Sequence, residues 1–206
     1  KEKDIAPMSI PRPGHADLTG AIKYGYRDMR VALERASARE TTMRVAVGAI
    51  CKKLLAEFGI VIGGYVVQVG DVKAVIDPEM GYDERFRIAE DNDVRCPAVD
   101  SVEAMHEAIR QVKIDKDTLG GIFEVVALHV PAGLGSHVHW DRRLDAKIVA
   151  AMVSIHAMKG AEIGEAFDNA TKRGTQVHDA IALDGSNGHL SRPTNRAGGT
   201  EGGIST

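Results

Sequence analysis

Apolar residues recur at helical spacing in four stretches of the chain, and each stretch predicts a helix. The predicted helices span about residues 18–34, 40–58, 100–112 and 144–158. Gly59 is expected to end the second helix, and Asp100 with Glu103 three residues later has the form of a capping box for the third. The fourth helix is rich in alanine, so we expect it to be central, buried and closely packed against a neighbouring helix.

Two β-branched stretches predict strands at residues 60–69 and 122–130. The pair Gly63-Gly64 inside the first strand indicates either a bulge or a close backbone approach. The periodicity fades over residues 71–97, where we expect an irregular excursion. Residues 184–206 are rich in glycine and are expected to form a flexible loop, which serves either for binding or as a frayed tail. A single mixed helix-and-strand domain over residues 1–206 is the simplest organisation.

The composition indicates a soluble globular protein. Of the 206 residues, 44% are apolar and 27% are charged, and no apolar stretch approaches the roughly 20 residues that span a bilayer. The net charge of -3 and the aromatic content of 4% argue against a nucleic-acid partner. Cys51 and Cys96 are expected to be free thiols, with Cys51 buried, which fits a reducing, cytoplasmic setting. Lys1 is not an initiator Met and no apolar secretory core follows it, so we expect a cut end rather than a signal peptide.

Two arginine-bearing segments are candidates for binding an anion. In Arg12-Pro13-Gly14-His15-Ala16-Asp17, the turn residues hold an arginine that can clamp an anion beside a histidine that titrates near neutrality. The alternative is that His15 and Asp17 only cap the first helix. In the hinge Arg35-Ala36-Ser37-Ala38-Arg39-Glu40, two arginines precede a helix whose N-terminal amides attract anions, although Ser37 or a following threonine could also act only as a cap.

Histidines supply two further candidates. His137, His139 and Asp141 alternate along the chain, so on a strand they would share one face and could bind a divalent metal in a hydrolase. His156 lies at the end of the fourth predicted helix, where it can pack, cap the last carbonyl groups or contact a ligand. Neither a Walker-type phosphate loop nor a dinucleotide glycine fingerprint is present in the sequence.

Several of these motifs occur together and in order, and their combination resembles the chorismate synthase family. They are the Arg-Pro-Gly-His-Ala-Asp segment, the hinge with its Ala-Arg-Glu-Thr, Gly133-Leu134-Gly135-Ser136 with Trp140-Asp141, and Gly198-Gly199-Thr200-Glu201-Gly202-Gly203. The resemblance implies a lyase of the shikimate pathway, which forms chorismate by anti-1,4-elimination of phosphate from 5-enolpyruvylshikimate 3-phosphate. It also implies reduced FMN as cofactor, without net redox change, and an α+β fold: a β-α-β sandwich with helices packed between antiparallel sheets, assembled as a homotetramer.

The resemblance also implies roles for individual residues. His15 matches the family's catalytic histidine, which lies beside the N1 and C2 carbonyl edge of the flavin. Arg12 and Arg39 match positions that hold the anionic groups of the substrate. The positions that match FMN-contacting residues are Arg35, Ala36, Ser37, His156, Ala157 and Gly202, and no residue is assigned to a metal.

Members of the family are considerably longer than this chain. Their amino-terminal block with a second catalytic histidine, and their carboxy-terminal block with a flavin-facing arginine and aspartate, lie outside residues 1–206. We therefore expect a central core piece that does not turn over substrate alone and binds flavin weakly. An inert core that retains packing and self-association is the alternative, and flavin reduction by the same protein or by a separate reductase stays open.

Overall fold

The computed structural model describes residues 5–36, 39–184 and 188–206, and for residues 39, 184 and 189 it describes the backbone only. Contacts along the chain form two compact units, residues 1–50 with 131–206 and residues 51–130. Residues 51–130 form a sheet and a core of their own.

The described residues form helices and short antiparallel sheets. In chain order the helices are α1 (Asp17–Tyr24), α2 (Arg30–Arg35), α3 (Arg39–Ala56), α4 (Tyr82–Glu90), α5 (Val99–Ile114), a 3-10 turn (Trp140–Arg142), α6 (Leu144–Val153), α7 (Ala166–Asn169) and α8 (Gly174–Val177). The strands are β1 (Val61–Val69), β2 (Val72–Lys73), β3 (Gly121–Leu128), β4 (Ala182–Asp184), β5 (His189–Ser191), β6 (Thr200–Glu201) and β7 (Ile204–Ser205). None of the described helices has the length and hydropathy needed to cross a membrane.

The single helix predicted for residues 18–34 is wrong, because the chain breaks there into α1 and α2. Gly25 takes a left-handed conformation with φ of 69° and ends α1. The carboxylate of Asp28 then accepts hydrogen bonds from the main-chain N–H groups of Arg30 and Met8, at 3.0 and 2.9 Å. These bonds fix the start of α2 and fasten the opening segment to it.

The other predictions for the first three elements are confirmed. α3 and β1 lie within two residues of their predicted bounds, and Gly59 takes a left-handed φ of 76° just after α3. The close-approach alternative for the glycine pair is also confirmed, since a Cβ on Gly63 would overlap the ring of Phe86 in α4. The register shift in the β1–β3 ladder falls instead between Val66 and Gln68.

The unit of residues 51–130 is a three-stranded antiparallel sheet of order β2-β1-β3 with α4 and α5 packed against it. Its core contains Cys96, Ala98 and Met105, which are all buried. Tyr65 of β1 is 1% exposed, and this burial raises the pKa of its hydroxyl to about 12. The predicted strand at residues 122–130 is confirmed as β3.

Two predictions in this unit are wrong. The segment 71–97 is not an irregular excursion, since it contains β2 and the nine-residue helix α4. Five of the nine residues of α4 are charged, and its inward face is marked by few apolar residues, among them Phe86 and the fully buried Ala89. The capping box does not form either, because α5 begins at Val99 with Ala98 as its cap and no side-chain cap bond.

Predictions of burial for α3 and α6 are also wrong. Helix α6 ends at Val153, five residues earlier than predicted, and contains no buried residue. Cys51 of α3 is exposed, whereas Cys96 is buried, and both thiols are free as expected. The described elements of the structure leave the apolar residues of α3 and α6 exposed or half-buried.

Candidate active site

The segment before α1 is organised by an ion pair between Arg12 and Asp17. Nε and Nη2 of Arg12 donate to the two oxygens of Asp17 at 2.8 and 3.0 Å, and the main-chain N–H of Arg12 adds a third bond at 3.0 Å. The Asp17 side chain is fully buried, and these bonds from Arg12 lower the pKa of its carboxyl to about 2. The Arg12 side chain is 40% exposed, with Nη1 on the edge opposite the pair. Asp17 therefore orients Arg12 instead of capping α1, for which it makes no cap bond.

His15 is held on the same turn. Its Nδ1 lies 2.9 Å from the main-chain carbonyl oxygen of Pro13, and Gly14 between them has a φ of 72°. Because a carbonyl oxygen only accepts hydrogen bonds, Nδ1 carries the hydrogen in the neutral ring. Nε2 of this exposed side chain is then the nitrogen that can accept a proton from a ligand, or return one to it.

The hinge between α2 and α3 is described in part. Helix α2 ends at Arg35, which is exposed, and the N–H of Ala36 donates to the carbonyl oxygen of Ala32 at 2.9 Å. Ser37 and the side chain of Arg39 lie outside the described residues, so their predicted roles rest on sequence. Helix α1 packs closely on α2, because a Cβ on Gly20 would lie 3.0 Å from that of Ala32.

A polar cluster joins the start of α3 to the segment after α6. Nε2 of His156 lies 3.5 Å from Oε2 of Glu40, and Nη2 of Arg44 lies 3.6 Å from the other oxygen of Glu40. Arg44 also donates to Oγ of Ser154 at 3.1 Å. Nδ1 of His156 is buried without a partner among the described atoms, and Ala157 after it is left-handed with a φ of 67°.

The glycine-rich end of the chain carries the β6–β7 hairpin. Gly202 and Gly203 form its turn with φ values of 60° and 89°. The carbonyl oxygen of Gly203 accepts from the main-chain N–H groups of Ser136 and Leu144, at 3.2 and 2.9 Å. Gly202 is exposed, and a Cβ built on it would contact nothing, so its backbone is open to a ligand. The residues described within 184–206 thus have a defined hydrogen-bonded fold.

A buried carboxylate that the sequence did not single out anchors this end. Asp179 is 8% exposed and accepts from Thr194 Oγ1 at 2.6 Å and from the N–H groups of Arg196 and Ala197, both at 2.9 Å. Burial alone would raise the pKa of Asp179, but these bonds outweigh it and the pKa is lowered. Asp179 therefore fixes the turn that leads into the hairpin with Gly202.

A family model for chorismate synthase matches residues 2–206. The chain belongs to the chorismate synthase family. Chorismate synthase from Bacillus velezensis is 51% identical over 199 residues, which cover 97% of this chain and 51% of the relative. The Aquifex aeolicus protein is 51% identical over 97% of this chain and 52% of its own length. The Bacillus subtilis protein is 50% identical over 100% of this chain and 53% of its own length.

The fold comparison agrees with the sequence comparison. A solved structure described as a crystal structure of chorismate synthase matches with a TM-score of 0.86 and 49% identity, covering 92% of this chain and 59% of that one. The resemblance seen in the motifs and the α+β class are therefore confirmed. The chain spans about half the length of the curated relatives it matches.

The structure brings some motifs of the chorismate synthase family together and leaves others apart. The block at residues 133–136 and the hairpin at 200–205 contact each other through the Gly203 carbonyl and a bridge from Gly135 to Ile204. The hinge meets His156 through Glu40. No hydrogen bond or ion pair among the described residues joins Arg12 or His15 to Arg35 or His156.

The alternative of a metal-dependent hydrolase is not supported. His137, His139 and Asp141 do not lie on a strand, since the last of them is in the 3-10 turn, and His139 Nδ1 pairs with Asp141 at 2.7 Å. Within residues 5–36, 39–184 and 188–206 no group of three or more potential metal ligands is assembled.

Proposed function

We propose that this chain forms part of the substrate and flavin site of a chorismate synthase. The reaction is the anti-1,4-elimination of phosphate from 5-enolpyruvylshikimate 3-phosphate. The observation that carries the proposal is the turn at residues 12–17, where a buried carboxylate holds Arg12 in one orientation next to His15. A preorganised guanidinium suits a phosphate or carboxylate, because its planar donors match their oxygens in pairs. Membership of the family and the match over residues 2–206 support the same assignment.

Arg12 and Arg39 would bind the anionic groups of the substrate. Arg12 can use Nη1, since its other edge is engaged by Asp17. Binding to a fixed donor orients the substrate without further loss of side-chain freedom. His15 would act at Nε2, where a protonated ring donates a proton or a hydrogen bond and the neutral ring accepts one.

The described residues fit a flavin as cofactor on two observations. Nδ1 of His156 is a buried nitrogen without a protein partner, and Gly202 offers an exposed backbone with open space around it. Reduced FMN bound here would supply electron density for the elimination without net redox change. Arg35, Ala36, Ser37, His156, Ala157 and Gly202 would hold it.

Three further properties are part of this proposal. The working assembly is a homotetramer, the location is the cytoplasm, and a separate flavin reductase is a possible partner. The chain spans about half the length of the curated relatives it matches, and we propose that these 206 residues on their own bind ligands without forming chorismate.

The binding proposal is tested by titrating 5-enolpyruvylshikimate 3-phosphate into the protein with reduced FMN, under anaerobic conditions, in a calorimeter. We expect saturable binding that Arg12→Lys weakens about tenfold, since lysine cannot make the paired contacts. Arg27→Lys, at an exposed arginine outside the site, is the matched control and should bind as the wild type does. Equal binding by the two variants would remove Arg12 from the substrate site, and chorismate in the mixture would contradict the proposed inactivity.

An inert, self-associating core is a second candidate function, and the surface of α3 favours it. Met43, Val47, Ile50 and Leu54 are between 55% and 71% exposed, which is unusual for a regularly spaced apolar stripe. Sedimentation velocity distinguishes the two candidates when combined with the titration. Self-association with no ligand binding would establish the inert core in place of a ligand site.

A further inference from the structure

Two residues of α3 that have no assigned role in flavin binding, Glu40 and Arg44, surround the position of His156. Glu40 and Arg44 lie one turn apart on α3, and both reach across to the segment that follows α6. Arg44 donates to Ser154 Oγ at 3.1 Å, and Glu40 faces Nε2 of His156 at 3.5 Å. Arg44 also lies 3.6 Å from Glu40, so the carboxylate is held from a second side. The imidazole therefore has a charged partner on one nitrogen only.

The other nitrogen of His156 is in an unusual state. Nδ1 has no accessible surface and no hydrogen-bond partner among the described atoms, although the side chain as a whole is 33% exposed. Buried polar atoms in folded proteins nearly always have a partner. Because the same ring has an exposed edge, this nitrogen is a position at which a bound ligand can supply the missing hydrogen-bond partner.

The partner of Nε2 determines what Nδ1 can bind. A carboxylate only accepts hydrogen bonds, so Glu40 favours the tautomer in which Nε2 carries the hydrogen. Nδ1 of the neutral ring then presents a lone pair. A ligand at this position must offer an N–H or O–H group, which flavins do through the ring N–H groups and the ribityl hydroxyls.

We propose that Glu40 is a positioning residue that presents Nδ1 of His156 as a hydrogen-bond acceptor to a donor group of the flavin. This inference rests on the proposed function, because it takes the flavin as the ligand of His156. Arg44 supports Glu40 in this arrangement and fixes Ser154 two residues before the histidine. Glu40 acts through His156 and does not itself touch the cofactor.

The first experiment measures binding of oxidised FMN by quenching of flavin fluorescence. Glu40→Ala should weaken binding roughly five- to tenfold, the effect of one lost oriented hydrogen bond. Glu40→Gln keeps an acceptor oxygen at the same place and should retain most of the affinity. Glu57→Ala, at an exposed glutamate beyond the other end of α3, is the matched control and should leave affinity unchanged. If the Gln variant is as weak as the Ala variant, Glu40 acts by charge and the positioning role is wrong.

A double-mutant cycle tests whether Glu40 acts through His156. The Glu40→Ala and His156→Ala double variant should bind FMN as weakly as His156→Ala alone, because the second change removes a support whose target is already absent. Additive losses would show that Glu40 contributes independently and would overturn the proposal. Lumiflavin, which lacks the ribityl chain, identifies the donor: a matching loss for Glu40→Ala assigns a ring N–H, and no loss assigns a ribityl hydroxyl.

Nitrogen NMR of the histidines provides a readout without flavin. The neutral His156 ring should show Nε2 protonated and Nδ1 bare in the wild type, and a mixture of tautomers in Glu40→Ala. A wild-type ring protonated at Nδ1 would overturn the inference. If the wild type binds FMN and Glu40→Ala binds it equally well, the positioning role fails while the flavin site stands. If the wild type binds no FMN, the proposed cofactor site fails and this inference fails with it.

Discussion

Replacement of Asp179 by asparagine tests how the hairpin with Gly202 is held in place. Oδ1 of Asp179 accepts from Thr194 and from the N–H of Arg196, and Oδ2 accepts from the N–H of Ala197. Asparagine has one acceptor oxygen, so in either rotamer at least one main-chain N–H faces an amide NH2 group. Leaving a largely buried donor without its acceptor costs about 1–3 kcal/mol.

Hydrogen exchange followed by mass spectrometry is the appropriate assay, because a chain of two compact units need not unfold in one step. A loss of about 2 kcal/mol in local stability corresponds to roughly thirtyfold faster exchange. We expect this acceleration over residues 194–206, with the β1–β3 ladder unchanged as an internal reference. Asp71→Asn, in the exposed turn between β1 and β2, is the matched control and should have no effect at 194–206. Equal exchange in Asp179→Asn and wild type would refute the anchoring role.

Three further predictions follow from packing and charge. Gly63→Ala should destabilise the protein by about 1–3 kcal/mol in urea unfolding, because its Cβ overlaps Phe86, and Phe86→Leu should recover part of the loss. The folded-state pKa of Asp17, about 2, lies below the ordinary value, so its stabilising effect is complete above about pH 4 and is lost as the pH falls towards 2. The urea concentration at the midpoint of unfolding should therefore fall between about pH 4 and pH 2 in the wild type, and this fall should be smaller in Asp17→Asn. A thiol reagent should label the exposed Cys51 rapidly in the native protein and the buried Cys96 only after unfolding. Burial also raises the pKa of the Cys96 thiol, which lowers its reactivity further. Rapid labelling of both cysteines would contradict the placement of Cys96 in the core.

Local features of the site could be predicted from the sequence, whereas long-range ones could not. Arg12, His15 and Asp17 lie within six residues of one another, and a Pro-Gly turn brings them together whatever the rest of the fold does. The interaction of Arg44 with Ser154 spans 110 residues, and no pattern in a single sequence predicts such a pairing. Asp179 was missed for the same reason, since its partners lie 15 to 18 residues away in an irregular segment.

Errors in the secondary-structure predictions have similarly specific causes. The break between α1 and α2 depends on Gly25 and Asp28, but the apolar spacing continues through both helices and hides it. Helix α4 is not predicted because its five charged residues outnumber its apolar ones, of which Phe86 contacts Tyr65 of β1. Burial was overestimated for α3 and α6 because an apolar stripe shows that a surface needs a partner and does not show where the partner lies.

The pairing of Arg12 with Asp17 has a consequence for how the substrate is recognised. The two side chains together carry no net charge, and the low pKa of Asp17 keeps the carboxylate ionised throughout the neutral range. If Arg12 binds the substrate as proposed, it contributes directed hydrogen-bond donors to an anion, and the long-range attraction for a highly charged substrate comes from arginines without such a partner. Since a neutral pair is nearly insensitive to ionic screening, salt should weaken substrate binding to a similar extent in the wild type and in the double variant Arg12→Gln with Asp17→Asn, which replaces the ion pair by two neutral side chains. A clearly smaller salt dependence in this double variant would mean that Arg12 acts mainly as a charge, and the orienting role of Asp17 would be wrong.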